Sequence, residues 1–313
     1  MRFCEEKDLA LCGLACVLCS QQDCPGCKAR GCAAGSDCFV YRCAAQKGLD
    51  GCYQCDDFPC QADMLQGVRN QAFNRYARRF GKRALLQRLR VNAENGIVYH
   101  KPGGLKGDYD ALETEEDILR LIAFGSHDPY DKCPVLQTAR FVLRLVQPED
   151  AGDLLRCYSD PRSQELFDAA TCTSDFRYHT MEQMRECIDF FLLNYRSREF
   201  IRFSILDKAS RRAVGTMEMF NATGRLAGRE GLGVLRVDLA SPYESEECLG
   251  ELLALSDATF DLLMGVDRVV TKAIPSAAPR RAALRAAGFA PFDWPEPGRE
   301  HYWARESQEM RSV

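Results

Sequence analysis

The sequence lacks three features that would narrow its function early: a long apolar run, a strong net charge and an internal repeat. Near its N-terminus it has charged residues at positions 5–8 and no uninterrupted apolar stretch as long as a signal peptide or a membrane span. Its formal net charge of -4 excludes a general electrostatic attraction to nucleic acid or anionic membranes. No period typical of solenoid proteins recurs. These absences predict a cytoplasmic protein that does not associate with membranes.

The composition is that of a folded globular chain. Of the 313 residues, 46% are hydrophobic and 27% are charged, which excludes a largely disordered protein. At one domain per ~100–200 residues, this length predicts two domains. The polar, turn-rich segment 126–134 predicts the linker between them. We therefore expect an α+β protein with a cysteine-rich domain with helices at 1–130 and a mixed α/β domain at 135–313.

Cysteine is abundant and unevenly distributed. Twelve of the seventeen cysteines lie within the first sixty residues. This segment shows little helical or strand periodicity, so cross-links rather than a packed core must order it. Because disulfides are rare in the reducing cytoplasm, we expect these thiolates to bind metal.

Three Cys-x2-Cys pairs indicate zinc as the metal. A tight turn directs both sulfurs of such a pair toward one ion, and zinc takes four tetrahedral thiolate or imidazole ligands. The candidate ligands are Cys12, Cys16, Cys19, Cys24, Cys27, Cys32, Cys38, Cys43, Cys52, Cys55 and Cys60. They suit two or three zinc ions, and the sequence does not determine which cysteines share an ion. An iron–sulfur cluster is the alternative, since CGLACVLC resembles the cluster motif of radical S-adenosylmethionine enzymes.

Four stretches carry a resemblance to a known family. They are CGLACVLC, CPGCKARGC, the DFPC at 57–60 and NAENGIVYHKPGGLKGDYD. Together they resemble a cysteine-rich family of bacterial and archaeal proteins of unknown function, over residues 10–125. The resemblance implies a compact metal-binding unit and no particular activity.

A concentration of positive charge follows the cysteines. Between residues 64 and 93 there are eight cations and no carboxylate. A basic helix beside a zinc module is typical of nucleic-acid binding, which is one interpretation. In the other interpretation these cations form a solvated helix face that the acidic segment 113–117 balances. We prefer the second and keep nucleic acid as an alternative partner.

Apolar periodicity and capping signals predict the remaining elements. In the first domain we expect helices over 64–80 and 83–93, and a third that begins at the capping box 114–117 and ends at Gly125. In the second domain we expect, in order, a strand at 139–145, helices at 149–158 and 180–197, strands at 200–206, 213–220 and 234–239, a helix at 242–264, a strand at 268–273, a helix ending at 287 and strands near 289 and 301.

This order of elements resembles the GNAT acetyltransferase superfamily. The stretch LQTARFVLRLVQPEDAGDLLRCYSDP is similar to the opening strand and first helix of members that act on amino groups, and RRAALRAAGF is similar to their penultimate helix. The resemblance covers residues 136–306. It implies acetyl-CoA as the cofactor, bound where strands 234–239 and 268–273 splay apart, and an amine of a small molecule or peptide as the acceptor.

The resemblance also implies which residues bind acetyl-CoA. Backbone groups of the splayed strand pair with the pantetheine arm, and unpaired N–H groups at the start of the next helix bind the pyrophosphate. The corresponding positions are Asp238, Leu239, Ala240, Cys248, Leu249 and Gly250.

The sequence departs from the family pattern at this helix. Ser241 and Glu244 predict a capping box at its start, but of the family's glycines only Gly250 is present. Three carboxylates, those of Glu244, Glu246 and Glu247, occupy the place of the phosphates. At ~1 kcal/mol of repulsion per close pair in water, they predict weakened binding of an anionic cofactor.

Acetyl transfer to an amine needs a base for the amine proton and a donor for the leaving thiolate. Glu218 and Asp238, on adjacent predicted strands, are candidate bases, and Tyr302 is the candidate donor. Each residue also has an ordinary interpretation as a solvent-facing strand residue. We select Glu218 and Tyr302 as the predicted catalytic pair.

Three functions are compatible with these patterns. The first is N-acetyl transfer from acetyl-CoA to an amine or protein N-terminus, with a structural zinc module. The second is non-catalytic binding of a metabolite or acyl group by a GNAT-like domain that has lost its activity. The third is zinc-dependent nucleic-acid binding through the basic segment at 64–93.

Overall fold

The protein consists of two compact units, Met1–Asp128 and Pro129–Val313. The structure is a computed structural model that describes residues 3–4, 6–19, 24–29, 37–101, 106–169, 172, 175–222, 231–294 and 300–306. The first unit is helical, and the second combines helices with a β-sheet, which confirms the α+β class. None of the described helices combines the length and apolarity needed to span a bilayer.

Short helices separated by turns build the first unit. Its described helices are α1 (Phe39–Lys47), α2 (Val68–Phe80), α3 (Lys82–Glu94) and α4 (Glu115–Phe124). Single 3-10 turns lie at Cys16–Leu18, Cys52–Gln54 and Asp63–Leu65. The predicted helix at 64–80 begins later than expected, because residues 63–65 form one of these turns. Helix α4 begins and ends as predicted, with the Thr114 hydroxyl accepting from the Asp117 N–H and Gly125 in the left-handed region.

The described helices of the second unit all lie between its strands along the chain. They are α5 (Ala151–Tyr158), α6 (Pro161–Gln164), α7 (Met181–Arg196), α8 (Glu246–Met264) and α9 (Ala278–Ala286). The strands are β1 (Leu136–Gln137), β2 (Phe141–Leu145), β3 (Ile201–Asp207), β4 (Ala213–Asn221), β5 (Leu232–Leu239), β6 (Arg268–Lys272), β7 (Ala290–Phe292) and β8 (Tyr302–Glu306).

These strands form one mixed sheet in the order β1-β2-β3-β4-β5-β6-β8-β7. Neighbours are antiparallel except β5 and β6, which are parallel and are joined by the crossover helix α8. A parallel pair needs such a crossover because both strands must start at the same edge. The sheet therefore consists of an antiparallel part, β1 to β5, and a smaller part, β6 to β8.

The centre of the sheet is covered on both faces. Every residue of β5 is buried, and so are all residues of β4 except the last. Helices α5 and α7 pack on one face through Leu154, Met184 and Phe191. A second apolar cluster lies around Trp294, where β5 and β6 meet. Strands covered in this way are expected to be apolar throughout, so the charged residues within them require explanation.

Candidate functional site

Charged side chains cross the centre of the sheet in one row. Arg202 on β3 lies directly opposite Glu218 on β4, and Glu218 lies opposite Arg236 on β5. All three are buried, with 1%, 1% and 4% of their surface exposed. The alternating signs of charge allow each side chain to pair with its cross-strand neighbour.

Ion pairs hold this row together. Arg202 Nη2 lies 2.8 Å from Glu218 Oε2, and Arg202 Nη1 lies 3.0 Å from Asp238 Oδ2. Arg236 Nη1 donates to the other oxygen of Glu218. Arg236 Nε also lies 3.8 Å from the buried carboxylate of Asp168. Removal of five charged groups from water is tolerated only because each has an opposite charge beside it.

We call the five charged residues the charged row (Asp168, Arg202, Glu218, Arg236 and Asp238). Two tyrosines form hydrogen bonds with it. Tyr158 donates to Asp238 Oδ2 over 2.8 Å, and Tyr302 donates to Asp168 over 2.9 Å. The structure therefore brings the predicted residues Glu218, Asp238 and Tyr302 into one network of ion pairs and hydrogen bonds, none of them facing solvent.

Glu218 and Asp238 differ in the partners of their carboxylate oxygens. Each oxygen of Glu218 faces an arginine. Asp238 is different, because its Oδ1 has no hydrogen-bond partner in the described part of the chain. Burial raises the pKa of Asp238, although Arg202 opposes the shift. Asp238 therefore keeps one carboxylate oxygen without a hydrogen bond among the described residues.

Beside this row, β5 and β6 separate. Their register pairs Leu232 with Arg268, Gly233 with Val269 and Val234 with Val270, and then the pairing stops. Strand β5 continues to Leu239, and β6 continues only beside β8. On the side facing β6, residues 235–239 thus have no pairing strand among the described residues. The predicted cofactor residues Asp238, Leu239 and Ala240 lie at the end of this open stretch.

The helix that follows begins later than predicted. Ser241–Tyr243 is a 3-10 turn, and α8 starts at Glu246 with Ser245 as its N-cap. The Ser245 hydroxyl accepts from the Cys248 N–H at 3.2 Å. The predicted capping box of Ser241 and Glu244 is therefore wrong.

Glu244 cannot act in a capping box because it forms a buried ion pair with Arg280 of α9. The neighbouring Glu247 pairs with Arg140, which also lies 3.6 Å from Glu251. Two of the three carboxylates that were expected to repel phosphates thus have a cationic partner. These carboxylates therefore repel a bound phosphate less strongly than the sequence predicts.

The other predicted cofactor positions lie in the first turns of α8. Cys248 and Leu249 are buried, and Arg140 Nη1 donates to the Cys248 sulfur at 3.1 Å. A Cβ built on Gly250 would meet no atom within 4 Å, so open space lies beside this glycine.

The basic segment 64–93 of the first unit is largely neutralised by internal contacts. Arg69 pairs with Asp110 at 2.6 Å, and Arg75 pairs with Glu115 at 2.5 Å. Lys82 lies 2.8 Å from Asp8. Other cations stack on aromatic rings. Arg78 donates to the backbone carbonyl oxygen of Tyr53. These contacts favour a solvated, balanced helix face over a nucleic-acid surface, which requires unpaired cations.

Two of the three Cys-x2-Cys pairs of the first unit adopt tight turns. Cys16–Leu18 and Cys52–Gln54 are 3-10 turns, each closed by a hydrogen bond from the second cysteine N–H to the first cysteine carbonyl. This is the local geometry that directs two sulfurs to one side. The cysteines pack around a small apolar core that includes Leu11, Phe58 and Leu65.

The described thiols match zinc in donor type, but their side chains do not converge on one point. No disulfide joins the described cysteines. Within the described ranges, no three His, Cys, Asp or Glu side chains are arranged to hold a metal ion. Cys32 lies outside the described residues. The donor type, thiolates from paired tight turns, is that of structural zinc sites.

The fold and site define a chain with a cysteine-rich unit followed by an α+β unit with a mixed, splayed sheet. Residues 19–64 match the model of a family described as a protein of unknown function, DUF3795. This match confirms, over those residues, the resemblance of the first unit to a family without an assigned activity. No match was found among curated proteins.

Solved structures of GNAT proteins are similar to the second part of the chain. An acetyltransferase of the GNAT family from Bacillus anthracis is 13% identical over 55% of this chain and 98% of its own, with a TM-score of 0.43. RimJ of Mycobacterium smegmatis, in complex with CoA-disulfide, is 19% identical over 54% and 83%, with a TM-score of 0.44. The ribosomal-protein-S5-alanine acetyltransferase of Vibrio fischeri is 13% identical over 56% and 97%, with a TM-score of 0.41.

Proposed function

We propose that the second unit is an N-acetyltransferase domain that moves an acetyl group from acetyl-CoA to an amine of a small molecule or a protein N-terminus. The observation that carries this proposal is the separation of β5 from β6 after Val234 and Val270. It leaves backbone groups of residues 235–239 available on the side facing β6 and leads directly into helix α8. An extended amide-containing ligand can pair with such an edge as an added strand would.

The start of α8 supplies the second half of the proposed cofactor site. Its first N–H groups lack intrahelical partners and favour an anion. Open space beside Gly250 leaves room for a bulky group there. The ion pairs of Glu244 and Glu247 with arginines reduce the repulsion that these carboxylates would otherwise exert. When bound, acetyl-CoA supplies the activated acetyl group.

The charged row provides the proposed proton acceptor. Asp238 ends the open stretch of β5, and its Oδ1 has no hydrogen-bond partner in the described part of the chain. A carboxylate with a raised pKa takes up the proton of an attacking amine more readily than an ordinary one. Arg202, which also pairs with Glu218, holds Asp238 in position, and Tyr302 remains the proposed phenol near the thiolate. Because Asp238 is buried, the side chains that cover it must move before a substrate amine can reach it.

We further propose that the first unit binds zinc, two or three ions, in a structural role. Two of its Cys-x2-Cys pairs lie in tight turns beside a core too small to order the segment by itself. A structural ion requires four protein ligands and no open position, which agrees with the abundance of thiols.

The proposed cofactor site is tested with two matched glycine substitutions. A Cβ built on Gly250 or on Gly152 of α5 would meet nothing within 4 Å, so alanine fits at both positions. Each change should leave the protein equally stable or raise its stability by up to about 1 kcal/mol, because glycine is a poor helix former. We expect Gly250→Ala to weaken acetyl-CoA binding about tenfold, equivalent to about 1.4 kcal/mol. Gly152→Ala should leave binding unchanged, as isothermal titration calorimetry would show.

The melting temperature of the wild-type protein tests whether it binds acetyl-CoA at all. Acetyl-CoA at 100 times its dissociation constant stabilises a protein by about 2.7 kcal/mol. The absence of a shift at millimolar acetyl-CoA would exclude the transferase.

Non-catalytic binding is the second candidate, and one observation favours it. Glu218 and Tyr302 are buried and engaged within the charged row. A domain that binds acetyl-CoA, as measured by calorimetry, but releases no CoA thiol with any amine or peptide tested would support this candidate. Thiol release that depends on both the amine and the enzyme supports the transferase.

A further inference from the structure

Two donors hold one oxygen of Asp238. Tyr158 donates its hydroxyl hydrogen to Oδ2 at 2.8 Å, and Arg202 Nη1 donates to the same oxygen at 3.0 Å. The Tyr158 oxygen also lies 2.7 Å from the Thr216 hydroxyl. Because the phenol has a single hydrogen and gives it to Asp238, Thr216 is the donor in this second hydrogen bond. Arg202 Nη1 donates to the Thr216 oxygen at 3.0 Å, so the direction of each of these hydrogen bonds is determined.

The other oxygen of Asp238 is left without a donor. Oδ1 is buried and has no hydrogen-bond partner in the described part of the chain. As a carboxylate oxygen it lacks a donor, and as a protonated oxygen it would lack an acceptor. Neither protonation state therefore satisfies this atom, and an unsatisfied buried polar atom is costly. A ligand that brings an N–H group to Oδ1 would remove this cost.

The charge of Asp238 is only partly compensated. Arg202 pairs with Asp238 and also with Glu218, so two carboxylates share one guanidinium. Arg280 is the next cation, but it forms its own buried ion pair with Glu244. A buried carboxylate needs a full opposite charge beside it to offset its loss of hydration. The ligand that suits Oδ1 is therefore a cation with N–H donors, such as the ammonium form of an amine.

Tyr158 is itself held firmly in place. It is the last residue of α5 and is fully buried. The side-chain amide of Gln164 donates to its backbone carbonyl at 2.7 Å. Its ring packs against that of Phe167, with 5.0 Å between the ring centres. The phenol hydroxyl thus remains beside Oδ2 of Asp238 and keeps this carboxylate in one orientation.

Resting on the proposed transferase activity, we propose that Tyr158 is a positioning residue of the acceptor site. Together with Arg202 it holds Oδ2 of Asp238, which leaves Oδ1 as the atom that binds the ammonium group of the acceptor and takes its proton. The acceptor class is then a cationic amine rather than an alcohol, an amide or an anionic compound.

The proton transfers of this step balance. The acceptor enters as R–NH3⁺, and one proton passes to Oδ1 of Asp238. The freed lone pair of the nitrogen attacks the acetyl carbonyl, and the bond between the acetyl carbon and sulfur breaks. The nitrogen gives up a second proton, which leaves with the sulfur as the CoA thiol. Asp238, now a neutral acid, returns its proton to water after the product has left.

Several other groups act on the protonation of Asp238. The titratable and charged side chains that face it are Cys157 and Tyr158 on α5, Cys187 on α7, Arg202 on β3, Glu218 on β4 and Arg280 on α9. Replacement of Tyr158 by phenylalanine removes a hydrogen bond to Asp238 without removing any of these charges. A change in the pKa of Asp238 in that variant therefore reports the lost hydrogen bond.

The test compares full-length Tyr158→Phe with the wild type. The first measurement is the pKa of Asp238 by ¹³C NMR of carboxyl-labelled aspartate, with the signal assigned by its absence in Asp238→Asn. We expect this pKa to rise by about one unit, because a hydrogen bond to the ionised form lowers the pKa of a carboxyl group. The matched control is Tyr178→Phe, whose ring centre lies 5.7 Å from that of Tyr158 and whose hydroxyl bonds to Cys187. It should leave the pKa unchanged.

The second measurement is the release of CoA thiol from acetyl-CoA, with methylamine, putrescine and a peptide with a free amino terminus as probes. In Tyr158→Phe we expect kcat to fall at least about tenfold, because the base is no longer held in one orientation. The acid limb of the kcat/KM profile should move to higher pH by about one unit, in line with the raised pKa. The KM for acetyl-CoA should not change.

The outcomes separate this inference from the transferase itself. A wild type that releases no thiol with any probe overturns the transferase and the role of Tyr158 with it. An active wild type, combined with a Tyr158→Phe variant that keeps both its pKa and its kcat, overturns the role of Tyr158 only. Equal losses in Tyr158→Phe and Tyr178→Phe would assign the effect to packing and also overturn that role.

A second variant keeps the inference testable if Tyr158→Phe does not fold. Thr216→Val removes the hydroxyl that donates to Tyr158 and keeps a branched side chain in strand β4. We expect a smaller rise in the pKa of Asp238, because the phenol stays but loses one of its two hydrogen bonds. An unchanged pKa in Thr216→Val would contradict the network.

Discussion

Arg202 is the residue on which the charged row depends. It contacts two carboxylates, those of Glu218 and Asp238. Water does not solvate it, because only 1% of its surface is exposed. Its guanidinium also lies 4.4 Å above the centre of the Phe191 ring. A buried arginine of this kind contributes little net stability while paired, because burial of the charges costs nearly as much as the pairing returns. Its removal, however, leaves two carboxylates buried beside each other.

We expect Arg202→Met to destabilise the second unit by about 3–5 kcal/mol, the usual cost of breaking a buried ion pair by removing one partner. The change in unfolding free energy can be measured by urea denaturation with tryptophan fluorescence. Trp294 and Trp303 are the two tryptophans of the chain and lie in the second unit, so the signal reports that unit.

Arg185→Met is the matched control for this measurement. Arg185 lies on the exposed face of α7, and its replacement should change stability by less than about 0.5 kcal/mol. A loss of less than about 1 kcal/mol in Arg202→Met would contradict the role assigned to the row.

Only part of the charged row could be predicted from the sequence. The motifs IRFSI and TMEMF each place one charged residue within an apolar strand, and VLRVD places two, which is the available signal. Glu218, Asp238 and Tyr302 were selected for their chemistry. Arg202, Arg236 and Asp168 were missed, because their partnership depends on strand register and on a loop position that apolar patterns do not fix.

At the scale of elements, the start of α8 shows how tertiary contacts override a local motif. Ser241 and Glu244 have capping-box spacing, yet Arg280 binds Glu244 in a buried pair. Ser245 then becomes the N-cap, and the helix begins three residues after the 3-10 turn. Leaving a buried charge unpaired costs more free energy than losing one capping hydrogen bond, so the ion pair prevails over the capping box.

Ser245→Ala should therefore destabilise the second unit by about 1 kcal/mol, the typical cost of losing an N-cap. Thermal unfolding followed by tryptophan fluorescence would measure it. Ser197→Ala, at the exposed C-terminal end of α7, is the control and should cost less than about 0.5 kcal/mol. Equal effects of the two substitutions would show that the Ser245 cap contributes nothing.

Helices with a clear apolar stripe were predicted, and those without one were missed. Strands β3 and β4 lie within one residue of their predicted bounds, and α3 lies close to its own. Helix α1 was not predicted, because only Val40 and Ala44 of its nine residues are buried. A helix of this kind is fixed by what surrounds it, here the thiols and apolar core of the first unit, rather than by its own periodicity.

At the scale of the whole molecule, the two units depend on different sources of order. The second unit has a sheet whose central strands β4 and β5 are buried almost throughout. In the first unit, residues 37–66 form few regular elements around a small core lined by cysteines. If zinc orders that segment, its stability follows the metal, because binding to the folded state alone stabilises that state.

We expect a chelator such as EDTA to loosen residues 37–66 and leave the second unit unchanged. Hydrogen exchange of peptides from 37–66 should accelerate, whereas tryptophan fluorescence should not change. Excess zinc added back should restore slow exchange. Unchanged exchange after zinc has been removed would mean that apolar packing, and not the metal, orders the segment.

The separation of β5 and β6 also has a consequence for the order in which the nascent chain can assemble. Strands β1 to β5 pair only with one another until residue 268, where β6 begins, has left the ribosome. Three residue pairs then join the two parts of the sheet. Because parallel pairing across a long crossover forms slowly, this junction closes late in synthesis. Until then, the edge of β5 is exposed to chaperones and to other chains.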